Sequence, residues 1–170
     1  MLQRPSHDEY SSYYTGYIGL VPDGDYVSIL NSQEKALVSL FSQLTEEQAL
    51  SRYAPGKWSL KEVLAHITDT ERIMSYRLLR IARGDTTDLP GFDQDIFIAN
   101  AVFDEVLLTD LVKDFQAVRQ ATLALLPTIT EIAWTRVGTA NTFAISARAI
   151  AYVIAGHAKH HLNIVEQKYL

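Results

Sequence analysis

A chain of 170 residues with 48% hydrophobic content suits one domain with a sizeable core, and no shift in composition marks a second. The formal charge of −5 comes from 20 acidic and 15 basic residues scattered along the chain, which argues against a nucleic-acid partner but leaves room for an acidic substrate. With no cysteine the chain has no disulfide, no thiolate metal ligand and no thiol nucleophile of its own.

The N-terminus has no apolar stretch of signal-peptide length, and no run of about 18 apolar residues occurs, so a soluble cytoplasmic protein without a membrane partner is expected. Residues 1–24 read as an irregular arm. Its tyrosines, Tyr10, Tyr13, Tyr14 and Tyr17, have helical spacing, but Gly16, Gly19 and Pro22 argue for an extended conformation. The rings are expected to pack over one end of the molecule or to line a pocket mouth. His7 is expected to be exposed.

Residues 25–170 read as a single bundle domain. Asp25 is an N-cap candidate for a helix over residues 25–44, whose apolar positions Val27, Leu30, Leu37, Leu40, Phe41 and Leu44 recur with helical spacing. Thr45-Glu46-Glu47-Gln48 is a capping box for a short helical turn, stopped by Pro55-Gly56. A second box, Ser59-Leu60-Lys61-Glu62, opens a long helix that runs to about residue 82, with Leu60, Val63, Ile67, Met74, Leu78 and Ile81 on its apolar face. His66 falls beside this stripe, roughly 80° from its centre, and Glu62, Asp69, Thr70 and Arg77 share the same edge. That edge reads equally as a solvated one or as a source of an acid-base carboxylate.

Residues 83–91 are loop by their turn residues, 92–102 a short helix, and 109–126 a long one ended by Pro127. Trp134 sits in a brief helical turn and Gly138-Thr139-Ala140-Asn141 reads as a tight connection; both tryptophans are expected to pack rather than to face substrate. Ser146 opens the last helix, to about residue 168. Four long helices, no strand periodicity and a long link between the second and third predict an all-α four-helix bundle of up-down-down-up order, with the arm and short extra helices attached.

The last helix carries His157 and His161, one turn apart on a face shared with Ile150, Val153, Ile154, Ile164 and Val165. A single imidazole there would read as a neutral core group hydrogen-bonded to a carbonyl or tyrosine. A pair at this spacing on the buried face, with His66 available on another helix, favours metal ligation, because zinc-type ions take neutral imidazole and want more than two ligands. His160 lies about 60° round from His157, away from the stripe centre, and is expected to face solvent or a partner subunit rather than to take a proton from a metal-bound nucleophile.

The run from Tyr53-Ala-Pro-Gly-Lys-Trp58 through His66-Ile-Thr-Asp69-Thr-Glu71-Arg72 to Gly84-Asp85, together with Gly156-His157-Ala-Lys-His-His161-Leu-Asn, resembles the DinB-like family of the DinB/YfiT superfamily. The likeness covers nearly the whole chain, including Leu20-Val-Pro-Asp-Gly-Asp25. It implies a four-helix bundle with a divalent metal on three histidines, here His66, His157 and His161. Relatives in that family include bacillithiol-using S-transferases, a mycothiol-using isomerase and members described only as metal-dependent hydrolases or damage-inducible proteins.

Three imidazoles leave an open coordination position, which is the catalytic kind of site. A metal there lowers the pKa of bound water from 15.7 to about 7, or deprotonates a coordinating thiol outright. The expected function is therefore a metal-dependent enzyme for a small molecule, foremost a thiol-dependent S-transferase using an external low-molecular-weight thiol. A metal-dependent hydrolase and a non-catalytic stress-response metal-binding bundle are the alternatives. Zinc and nickel are expected equally, Asp69 or Glu62 is a candidate partner for a ligand's second nitrogen, and the family makes a homodimer plausible.

Overall fold

The computed structural model describes residues 2–170. Seven α-helices and one β-hairpin occur among them: α1 (Thr15–Gly19), α2 (Tyr26–Ser42), α3 (Glu46–Ala49), α4 (Leu60–Ala82), α5 (Gln94–Asn100), α6 (Leu108–Leu125), β1 (Val137–Ala140), β2 (Phe143–Ser146) and α7 (Ala147–Lys168). None of the helices is long and apolar enough to cross a membrane.

The long helices start where their caps dictate. Asp25 accepts the Ser28 amide at the head of α2, Ser59 and Glu62 close a reciprocal capping box at α4, and Ser146 accepts the Ala149 amide at α7. Contacts along the helices set their directions. Gln33 reaches the Ala155 carbonyl and Tyr26 that of Ala151, so α2 and α7 run parallel. Tyr169 meets the Trp58 carbonyl while His157 meets His66, so α4 and α7 are antiparallel. Lys61 holds the Val106 carbonyl and Arg83 that of Thr128, so α4 and α6 run together. The result is an up-down-down-up four-helix bundle.

Two features differ from the sequence expectation. Residues 12–19 are not extended: Ser12–Tyr14 forms a 3-10 turn leading into α1. The cause is tertiary. α1 lies on α7 at Gly156, where a Cβ would come within 2.0 Å of the Tyr17 carbonyl oxygen, so this glycine lets the two backbones approach closely enough to outweigh local propensity. The connection at 138–141 is in fact β1, paired antiparallel with β2 in the register Val137↔Ser146 and Ala140↔Phe143. Its two-residue turn puts Asn141 at φ 51° and Thr142 at φ 70°, the twist that hairpins require.

The apolar core forms two clusters stacked along the bundle. One gathers Tyr26, Leu30, Met74, Leu78, Ile81 and the first half of α7; the other gathers Leu37, Phe41, Leu60, Leu64, Phe115, Leu162 and Val165. Buried polar side chains sit at the levels where the two meet: His66, His157, His161, Glu71, Arg119 and Gln33. Arg119, with no exposed surface, makes a two-point bond to Glu71 at 2.8 and 2.7 Å and a third bond to the Leu30 carbonyl at 2.9 Å. Gln33 links the same group to α7, so one polar network ties all four long helices.

Candidate metal centre

His66 on α4 and His157 and His161 on α7 are brought together across the antiparallel pair. One ring nitrogen of each lies within 4.8 Å of the other two, and the Nε2 atoms of His66 and His157 are 3.0 Å apart. Ring centroids are separated by 4.8 Å for His66 and His157, 4.7 Å for His66 and His161, and 4.5 Å for His157 and His161. All three residues are buried. Burial lowers His66 to about 4 and His161 to about 3 and takes His157 well below the ordinary 6.5, the neighbouring imidazoles adding to the effect. Neutral rings at neutral pH are the form that ligates a metal. Ligand nitrogens about 2.0–2.1 Å from one tetrahedral ion lie roughly 3.3 Å apart, and the 3.0 Å between the Nε2 atoms of His66 and His157 is close to that spacing.

His66 looks sideways from the α4 stripe toward a neighbouring helix, α7, as its place on the wheel predicts. α4 has α7 on one side and α6 on the other, and its buried arc widens to take in Thr70, Glu71 and Arg77 as well. Trp58, half-buried ahead of α4, packs its ring against that of His66 at a tilt of 53°, with centroids 4.8 Å apart. Tyr17 of α1 packs edge-on against His157 at 5.5 Å and His160 at 5.3 Å. Trp58 was expected only to pack, and Tyr17 was assigned no more than a generic pocket-mouth role; the docking of α1 on Gly156 brings it to the histidines.

The acidic candidates go elsewhere. Glu62 is bonded by Arg52 and accepts the Ser59 amide at 2.7 Å, while Asp69 pairs with Arg72 at 3.2 Å; neither hydrogen-bonds an imidazole. His160 is half-buried beside His161, with ring centroids 5.0 Å apart. His7 is exposed, its Nδ1 bonded to the Tyr10 hydroxyl at 3.0 Å.

A cavity of about 300 Å³ opens beside the cluster. His157 contributes to its wall together with Tyr13, Tyr14 and Tyr17, Thr70 and Arg77 of α4, and Phe92. A larger hollow of about 730 Å³, lined by Tyr26, Leu126 and Trp134, has no histidine in its wall.

Fold and site together define a helical bundle whose buried three-histidine cluster bridges two antiparallel helices beside a cavity of about 300 Å³. Residues 29–165 match the model of the DinB superfamily, and the chain belongs to that family. No curated protein sequence matches. Among solved structures the chain is similar to YfiT from Bacillus subtilis, described as a probable metal-dependent hydrolase with an unusual four-helix bundle topology. The two share 15% identity and superpose with a TM-score of 0.72 over 97% of this chain and 90% of that one. At that identity the likeness speaks for the fold.

Proposed function

We propose that the protein is a metal-dependent enzyme for a small molecule, with His66, His157 and His161 holding a divalent ion, zinc or nickel, and an external low-molecular-weight thiol serving as nucleophile in an S-transfer reaction. The observation that carries this reading is the convergence of three neutral, buried imidazoles, one of which, His157, reaches the wall of a cavity of about 300 Å³. When bound, a divalent ion supplies acidification of a coordinating thiol. The chain itself has no cysteine, so the sulfur must come from outside.

The protein's own residues orient and enclose. Trp58 and Tyr17 press on His66 and His157, fixing their rings and keeping water from that side. His160, half-buried beside His161, is the group placed to accept the proton that a thiol gives up. Glu62 and Asp69 act through the arginines they bind, holding the surface of α4 in place. A cytoplasmic location and a homodimer belong to the same reading.

A second reading, metal-dependent hydrolysis with water in place of the thiol, is favoured by the description of the Bacillus subtilis relative. The test begins with elemental analysis of the wild type beside a His157→Ala, His161→Ala double variant, both prepared without a metal-binding tag. Near-stoichiometric metal in the wild type alone is expected. The loaded protein is then given an activated aryl halide with and without a small thiol, and a nitrophenyl ester without one. Turnover only with thiol supports transfer, and ester cleavage alone moves the assignment to hydrolysis. Bound metal that stabilises the fold with no turnover of either substrate leaves a bundle fastened by its ion. A wild type that stays empty after incubation with zinc or nickel overturns the metal site.

A further inference from the structure

The wall of the cavity beside His157 contains a buried arginine without an acid and a buried hydroxyl without a hydrogen-bond partner. Arg77 is only 2% exposed, yet no carboxylate lies within ion-pair distance of it among the described residues. Its guanidinium gives one firm hydrogen bond, to the Pro90 carbonyl at 2.6 Å, and a weak one to the Met74 sulfur at 3.8 Å. The Tyr14 hydroxyl stands beside it and the Phe92 ring lies 5.8 Å from its centre. A guanidinium has five N–H donors, so the contacts to Pro90, Met74 and Tyr14 leave donors free for something else. The contrast with Arg119 is direct: that buried arginine has its own carboxylate, Glu71, and Arg77 has none.

Thr70, 4% exposed, is the second group. Its Oγ1 is buried with no hydrogen-bond partner among the described residues. The other two buried helical threonines, Thr68 and Thr122, bond back to the carbonyl four residues earlier, at 2.9 and 3.1 Å. Thr70 does not take that easy bond, although an unsatisfied buried hydroxyl costs about 1–3 kcal/mol. Both groups line the same cavity as His157. The one carboxylate at that cavity, Asp93, is exposed and already accepts the Asp95 and Ile96 amides at the head of α5.

A buried cation without a counter-ion is costly, and a fold retains one where a ligand completes it. We infer that the cavity binds a small carboxylate, its oxygens taken by the Arg77 guanidinium and the Thr70 hydroxyl, with the rest of the molecule against Tyr13, Tyr14, Tyr17 and Phe92 and its far end at His157. A sphere of about 300 Å³ is roughly 8 Å across, so a molecule held at Arg77 spans the distance to the histidine cluster. This deepens the enzymatic reading by naming the substrate class. It rests on that reading only for the chemistry, since the carboxylate seat itself needs no metal.

The test uses benzoate and its neutral isostere benzamide, titrated calorimetrically into metal-free and zinc-loaded wild type, Arg77→Met and Thr70→Val. Wild type is expected to prefer benzoate by about tenfold or more in both metal states, the usual worth of a charge-assisted hydrogen bond. Arg77→Met is expected to abolish the preference, and Thr70→Val to weaken benzoate several-fold. Thr70→Val leaves no buried group orphaned and is expected to melt at or above the wild-type temperature without ligand, whereas Arg77→Met takes a partner from the Pro90 carbonyl and the Tyr14 hydroxyl, so a thermal melt and the retained binding of benzamide show that its fold is intact. Equal affinities for the two probes, no binding of either, or an unchanged preference in Arg77→Met overturns the inference. Inorganic phosphate binding tighter than benzoate overturns the choice of carboxylate. A zinc-binding failure with the benzoate preference intact refutes the metal centre and leaves the carboxylate seat standing.

Discussion

Replacing Glu71 by glutamine removes the carboxylate that neutralises Arg119 at the centre of the bundle. Arg119 and Glu71 have side chains 0% and 2% exposed, so water cannot take the lost partner's place. Breaking a buried pair from one side costs about 3–5 kcal/mol. Arg119 keeps the Leu30 carbonyl at 2.9 Å, and a glutamine oxygen still accepts one bond, which places the expected loss near the lower figure, about 3 kcal/mol. In a protein of this length each kcal/mol moves the melting temperature by about 2–4 °C, so Glu71→Gln is expected to melt roughly 6–12 °C lower. Urea unfolding followed by far-ultraviolet circular dichroism measures the free energy directly. The decisive companion is the double variant Glu71→Met, Arg119→Met, which removes both charges and fills the space with apolar atoms. It is expected to recover to within about 1–2 kcal/mol of wild type, because desolvating two charges offsets most of their attraction. A loss under about 1 kcal/mol in Glu71→Gln, or a double variant as unstable as the sum of the single ones, refutes this account of the network.

Gly156→Ala puts a Cβ 2.0 Å from the Tyr17 carbonyl oxygen and 2.4 Å from its carbon, both main-chain atoms that cannot swing aside. α1 is expected to lift, with a loss of about 1–3 kcal/mol and faster protease cleavage within residues 4–19; an unchanged cleavage rate would contradict the close approach. Thr142→Gly relieves a β-branched residue at φ 70° and is expected to stabilise the protein by about 1 kcal/mol, a gain that a thermal melt would detect and that a lower melting temperature would rule out. Glu9 is pushed up by burial but pulled down more strongly by hydrogen bonds from Arg148, Ser146 and Ser6, and rests at about 2 against an ordinary 4.5. Its contribution is therefore present in full above about pH 4.5 and is lost as pH falls toward 2. Glu9→Gln is expected to flatten the decline in urea midpoint over that window, and identical slopes for the two proteins would sink the idea.

What the sequence made legible was whatever is decided locally. The caps at Asp25, Thr45, Ser59 and Ser146 lie next to the helices they start, and all four make the bonds their types predict. The spacing of His157 and His161 fixed their shared face for the same reason; His66 was available as the third candidate on another helix, and the resemblance implied the same three residues. The misses are tertiary. The β1–β2 hairpin was hidden because its strands are four residues each and its turn is Asn-Thr rather than the Asn-Gly that announces such turns. α1 was hidden because Gly16 and Gly19 argue against a helix that only docking on Gly156 sustains. Glu71, Thr70 and Arg77 read as ordinary polar helix positions, and burial between α6 and α7 is what gives them their roles. A buried arginine without an acid is invisible until its neighbours are known.

The helix on which α1, α2 and α4 all lean leaves the ribosome after every one of them. α7 touches α1, α2 and α4, so its absence leaves three helices with uncovered apolar faces. His157 follows His66 by 91 residues. At about 5–20 residues per second, a nascent chain spends roughly 5–18 seconds between making its first ligand and its second. Throughout that interval it is a partial bundle with an open centre, the state in which chaperone capture and aggregation compete with folding. Closure of the core and completion of the histidine cluster then become one event, timed by the emergence of α7.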